Sequence, residues 1–132
     1  MKTAYPVIFT RLSDGYAAHV PDFPLDTQGN DIAEAIEMAR DATGIMGIDM
    51  EDEKKALPKA SNLENIECEP GEFVSMVDID FMEYRKANER RTVRRNVSIP
   101  AWLNREAEKS GINVSAILQA ALKQELQISE RG

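Results

Sequence analysis

Alternating apolar and polar positions open the chain and then give way to a helical spacing. Residues 5–12 read as a strand, Asp14-Gly15 as a tight hairpin turn and residues 16–20 as the returning strand. Pro21, Pro24 and Gly29 punctuate the next ten residues and leave room only for a brief third strand at residues 25–27. Asn30 or Asp31 then caps a helix reaching about Gly47, with Ile32, Ala35, Ile36, Ala39 and Thr43 along one face. Residues 49–60 are polar, with Pro58 as a breaker, and are expected to form a loop after a frayed helical end. Pro70-Gly71 marks a turn. Residues 72–81 alternate as a last strand, with Phe73, Val77, Ile79 and Phe81 inward and Asp78 and Asp80 outward on a solvated face. Residues 82–89 either continue that strand or form a hinge. The expected product is an α+β layer, a small antiparallel sheet with one long helix across it.

The pattern changes after residue 89. Residues 90–100 read as a single strand with two unlike faces: Val93, Val97 and Ile99 on one side, Thr92, Arg94, Asn96 and Ser98 on the other, with Arg95 the exception. Arg can fork onto guanine, Asn can pair with adenine and Ser can serve either, so Arg94, Asn96 and Ser98 suit the edges of DNA bases. Pro100 closes the strand and opens a helix at residues 101–110, with Leu103 and Ala107 on one face and Gly111 as the stop. Asn113-Val114-Ser115 starts a second helix over residues 115–127, whose apolar stripe includes Ile117, Leu118 and Leu122.

A unit of about 40 residues is too small to bury a stable core alone, and a lone strand leaves both edges unpaired. Pairing with the same strand of a second copy solves both problems and makes a two-stranded ribbon of the width that enters a major groove. A homodimer through this segment is therefore expected, with Val97, Ile99, Leu103, Ile117, Leu118 and Leu122 in the shared core. Trp102 is expected in core or interface packing.

Charge divides the chain at the same place. Residues 1–84 hold 6 Lys/Arg against 18 Asp/Glu, a net −12, whereas residues 85–132 hold 10 against 5, a net +5. A basic module on an acidic body is the distribution expected when one part meets phosphate and the other meets something else. Arg90 and Arg91, within the basic run, are candidates for phosphate contact. At 132 residues the chain allows one ordinary domain or two small ones, and the change of pattern favours two, residues 1–85 and 86–132. No apolar run reaches membrane-spanning length and no secretory signal opens the sequence, so a cytoplasmic protein with no membrane association is expected. Cys68 is the only cysteine, lies between Glu67 and Glu69, and reads as incidental.

The segment 91–127, with Asn96-Val97-Ser98-Ile99-Pro100 and then Gly111-Ile112-Asn113-Val114-Ser115, resembles the ribbon-helix-helix family of DNA-binding proteins. That resemblance implies base reading by Arg94, Asn96 and Ser98 and a phosphate grip by Asn113, Val114 and Ser115. The grip is physically reasonable, because free N–H groups and the positive helix end favour an anion.

Residues 3–83 resemble the HicB antitoxin family, through Tyr5-Pro6-Val7, Gly15-Tyr16, Val20-Pro21-Asp22-Phe23-Pro24, Thr27-Gln28-Gly29 and a last strand containing Val77. It implies a truncated RNase H-like domain that binds and blocks a small basic toxin of the HicA type, an mRNA-cutting ribonuclease, in a complex that represses its own operon on double-stranded operator DNA. Larger assemblies such as a tetramer fit the same resemblance. A body of negative charge would speed encounter with a basic partner.

Catalysis is not expected. Asp14, Asp22, Asp26 and Asp31 fall in turns and at a helix cap, where Asp has ordinary structural work, and metal chemistry needs carboxylates converging on one point. His19 has no nucleophile or carboxylate at a telling spacing. No cofactor or metal is expected. A second hypothesis stays open: a stand-alone ribbon-helix-helix transcription regulator whose N-terminal domain binds a small ligand or only drives oligomerisation.

Overall fold

The computed structural model describes residues 2–89 and 92–128. The chain divides into a larger unit within residues 1–90 and a smaller one within residues 91–132. The described residues of the larger unit hold four strands, β1 (Lys2–Leu12), β2 (Gly15–Val20), β3 (Leu25–Gly29) and β4 (Glu72–Asp80), two α-helices, α1 (Ile32–Asp52) and α2 (Phe81–Asn88), and a short 3-10 turn at Leu63–Asn65. The smaller holds α3 (Ala101–Lys109) and α4 (Val114–Glu125).

The strands form one antiparallel sheet in the order β3-β2-β1-β4. Leu12 faces Gly15 across the β1–β2 hairpin, so the two-residue turn is Ser13-Asp14, one position earlier than expected. Gly15 begins β2 with φ +152°, and a Cβ there would press into the Gly29 carbonyl, which is why a side chain is excluded. One face of the sheet carries Tyr5, Val7, Phe9, Ala18, Val20, Val77 and Ile79, which are buried together with Phe23, Phe81 and the α1 residues Ala35 and Ala39. The expected inward face of β4 is therefore correct at Val77 and Ile79. Phe73 lies on that face but is half-exposed, stacked on Phe9 with ring centres 5.5 Å apart.

α1 starts where its cap predicts. The Glu34 N–H donates to Asp31 Oδ1 at 2.8 Å, and the Asn30 N–H donates to Glu34 Oε1 at 3.0 Å. It runs to Asp52, past the expected end near Gly47, because Met50 packs on the core and Arg85 holds the carboxylates of Glu51 and Asp52. The polar stretch after Asp49 is thus helical for its first residues rather than a loop.

Residues 82–89 are neither strand nor hinge through Asn88. They belong to α2, which the Asp80 carboxylate caps by accepting from the Glu83 N–H at 3.1 Å. Phe81, expected as the last inward strand residue, is instead the first helical residue and is buried. The division between the units consequently falls beyond α2 rather than within it at residues 85–86.

In the smaller unit, residues 92–100 are neither helical nor joined to the four-stranded sheet, and the expected strand is not assigned in a single copy. Arg90 and Arg91 lie outside the described residues. α3 follows Pro100, whose carbonyl accepts from the Asn104 N–H at 3.1 Å, and ends at Gly111, φ +65°, with the Ile112 N–H donating to the Ala107 carbonyl.

Candidate functional site

The expected base-reading residues, Arg94, Asn96 and Ser98, are all exposed in the segment before α3, which has no assigned secondary structure. The expected core positions are exposed as well. Val97 is 53% exposed, Ile117 55% and Leu122 49%, and Ile99 and Leu103 are little better covered. Leu118 alone among them is partly buried, and no described residue of this unit is buried outright. A cavity of about 660 Å³ opens between residues 92–95 and α4, lined by Thr92, Val93, Arg94, Arg95, Ser115 and Leu118 among others. It brings Arg94 beside Ser115, Leu118 and Leu122; Asn96, Ser98, Asn113 and Val114 lie outside its lining. The Asn113 side chain is occupied as the cap of α4, accepting from the Ala116 N–H at 3.0 Å. The backbone N–H groups of Val114 and Ser115 have no hydrogen-bond partner among the described residues. An α-helix leaves its first N–H groups free in this way, and they suit an anion. Trp102 is 66% exposed in the single copy.

In the larger unit, the acids that tempt a metal reading do not converge. Asp22 accepts from Ser61, Asp26 lies 2.8 Å from His19 Nδ1, and Asp31 caps α1. The described residues contain no group of three metal-ligating side chains. Asp78 and Asp80 are not simply solvated outward carboxylates. Arg40 reaches Asp78 Oδ1 at 3.0 Å and Lys2 approaches its other oxygen at 3.4 Å, which holds the carboxyl below its usual range. Asp80 caps α2, and that backbone hydrogen bond likewise lowers its pKa.

α2 is seated on α1 by close approach. A Cβ at Gly44 would collide with the Tyr84 ring and one at Gly47 with the Phe81 ring, so two bare positions admit two aromatics. The Tyr84 hydroxyl donates to Asp41 Oδ1 at 2.8 Å; burial, with the Asp41 charge, pushes its pKa up to about 12. Arg85 spans 3.0 Å to Asp52 and to Glu89 and donates to the Ile48 carbonyl, a cation near the C-terminal end of a helix. Between α1, α2 and the end of β4 lies a cleft of about 380 Å³, floored by Ile79 and rimmed by Glu37, Arg40, Asp41, Glu83 and Tyr84. Sequence reasoning missed α2. Its signal is the Asp80-x-x-Glu83 cap, concealed within an alternating run.

Residues 5–121 match the family model of the HicB-like antitoxin of bacterial toxin-antitoxin systems, a match that enters both units. The chain belongs to the HicB-like antitoxin family. Among solved structures, a toxin-antitoxin complex from Streptococcus pneumoniae is similar over 95% of this chain and 99% of that one, with 25% identity and a TM-score of 0.61. A HicA3 and HicB3 toxin-antitoxin complex matches 59% of this chain and 99% of its own, with 21% identity and a TM-score of 0.51. An uncharacterised 14.9 kDa protein from the rep-hol intergenic region of Haemophilus phage HP1 is 28% identical over 103 residues, 75% of this chain and 74% of that protein. The HicB-like chain is thus an α+β antitoxin whose described residues form a four-stranded antiparallel sheet and four α-helices. No helix among its described residues is long and apolar enough to cross a membrane.

Proposed function

We propose that this antitoxin neutralises a small basic mRNA-cleaving toxin of the HicA type through its larger unit, and represses its own operon through its smaller unit. In this reading the smaller unit forms a ribbon-helix-helix homodimer on operator DNA. Residues 90–100 of two copies pair as an antiparallel ribbon in the major groove, with Arg94, Asn96 and Ser98 on the bases and Arg90 and Arg91 on phosphate. The N–H groups at Val114 and Ser115, presented by the Asn113 cap, hold further phosphate. Val97, Ile99, Leu103, Ile117, Leu118 and Leu122 close into a core between the copies. The larger unit, with its β-β-β-α-β order, serves as the truncated RNase H-like body that meets the toxin.

One observation carries the DNA-binding half. The smaller unit has six apolar side chains in the expected places and buries none of them fully, so its fold is half of a core. The antitoxin half is supported by the family match and by the similarity to toxin-antitoxin complexes. The charge split supports both, with net −12 over residues 1–84 for a basic protein and net +5 over residues 85–132 for DNA.

The test is co-expression with the product of a short basic reading frame adjoining the gene, followed by co-purification and by operator binding in a gel shift. A tight complex, relief of growth arrest and a salt-sensitive shift are expected. A chain that shifts the operator and binds no neighbouring product is instead a stand-alone regulator. One that captures the product and ignores the operator loses the repressor half.

A further inference from the structure

The two edges of the sheet are built differently. β3 is five residues long, follows Pro24 and carries Asp26. These are the devices that keep an edge from recruiting another strand. β4, at the other edge, is nine residues long, and its centre, Phe73-Val74-Ser75-Met76-Val77, has neither charge nor proline. Phe73 and Met76 are each 42% exposed.

The backbone of β4 also has unpaired groups there, although the short 3-10 turn at Leu63–Asn65 packs against the strand. Arg40 Nε donates to the Asp78 carbonyl from α1 at 2.9 Å, so the backbone groups of Asp78 point away from β1. Alternate residues of an antiparallel strand share a side, which turns those of Val74 and Met76 the same way. Pairing with β1 agrees, since Met76 faces Pro6, which has no N–H to contribute. Glu72 is already engaged, its N–H donating to the Glu69 carbonyl at 3.0 Å. Among the described residues, nothing hydrogen-bonds to the outward N–H or carbonyl of Val74 or Met76.

Charge separates the two candidate occupants. A second β4 would bring together two bodies that each carry a strong negative charge. A basic strand meets the opposite situation. The cleft at the end of β4 presents Glu37, Asp41, Asp80 and Glu83 against Arg40, and Glu37 has no ion-pair partner among the described residues.

We propose that the outer edge of β4, over residues 73–77, receives a basic strand of the toxin and extends the sheet to five strands, an inference that rests on the antitoxin reading. Val74 and Met76 supply the ladder, Arg40 on Asp78 marks where pairing ends, and a cationic side chain of the toxin enters the cleft beside Glu37.

Amide hydrogen exchange on the full chain, free and bound to the adjoining basic product, tests this directly. The Val74 and Met76 amides should exchange at least about tenfold more slowly in the complex, while Val77, already paired with Tyr5, changes little. Met76→Pro should keep the sheet, because the lost N–H faces outward, and weaken toxin binding about a hundredfold. Met76→Lys, which places a repelling charge on the edge, covers the case in which the proline variant does not fold. Unchanged exchange at both amides in a formed complex overturns the edge proposal and leaves the antitoxin reading standing. So does protection that grows with chain concentration in the absence of toxin, which assigns the edge to a second copy. Failure of the unmodified chain to bind the product overturns the antitoxin reading itself.

Discussion

The two units of this chain solve the problem of burial in opposite ways. In the larger unit, Val7, Phe9 and Val20 are almost wholly inaccessible, and a long helix closes one face of a four-stranded sheet. In the smaller unit, apolar residues recur at equally regular intervals and stay exposed, because two short helices and the segment before them do not bury a core. The same kind of pattern therefore specifies a finished fold in one place and an uncovered apolar surface in the other. What differs is the number of layers available to cover the stripe.

Several substitutions would break or sharpen that contrast. The largest effect is expected at Phe9→Ala, which removes a fully buried ring and should cost the larger unit about 3–5 kcal/mol in a denaturant titration. The helices of the smaller unit should melt as before. A single transition lost by both together would end the division into independent units.

Leu118→Ala should cost about 2–5 kcal/mol of dimer stability by hollowing the shared core, abolish operator binding, and leave toxin capture unchanged. Sedimentation reads the dimer, and an unaltered dimer would place the association elsewhere. Arg94→Ala or Asn96→Ala should each cost about 1–3 kcal/mol of operator affinity and relax sequence choice, with stability unaffected; equal affinity in both variants removes the base contacts.

The smallest effect concerns pH. The folded pKa of Tyr84, about 12, lies above its ordinary value of 10.0, so its protonated hydroxyl contributes fully below pH 10 and is lost as pH rises through about 12. The unmodified chain should lose thermal stability over that interval more steeply than Tyr84→Phe; parallel curves would remove the Asp41 contact from the account.

Much of this was legible in the sequence for local reasons. The β1–β2 hairpin, the Asp31 cap of α1, the Gly111 stop and the Asn113 cap of α4 are each dictated by neighbours within four residues or by a turn residue. What escaped depends on distant partners. The last turn of α1 is held by Arg85, whose basic side chain looks in sequence like part of a DNA-facing run. Asp78 looks solvated because Arg40 and Lys2 lie far from it along the chain. α2 stays hidden because Phe81 fits the strand alternation as well as it fits the first turn of a helix, and only its seat against Gly47 separates the two.

The absence of a closed interior in the smaller unit has a consequence for how the two proposed activities respond to dilution. A monomer retains the entire acidic body, so capture of a toxin scales with the first power of the chain's abundance. A reader assembled from two chains scales with the second. As the protein is depleted, promoter occupancy should collapse first, restarting synthesis while the remaining molecules still restrain the nuclease.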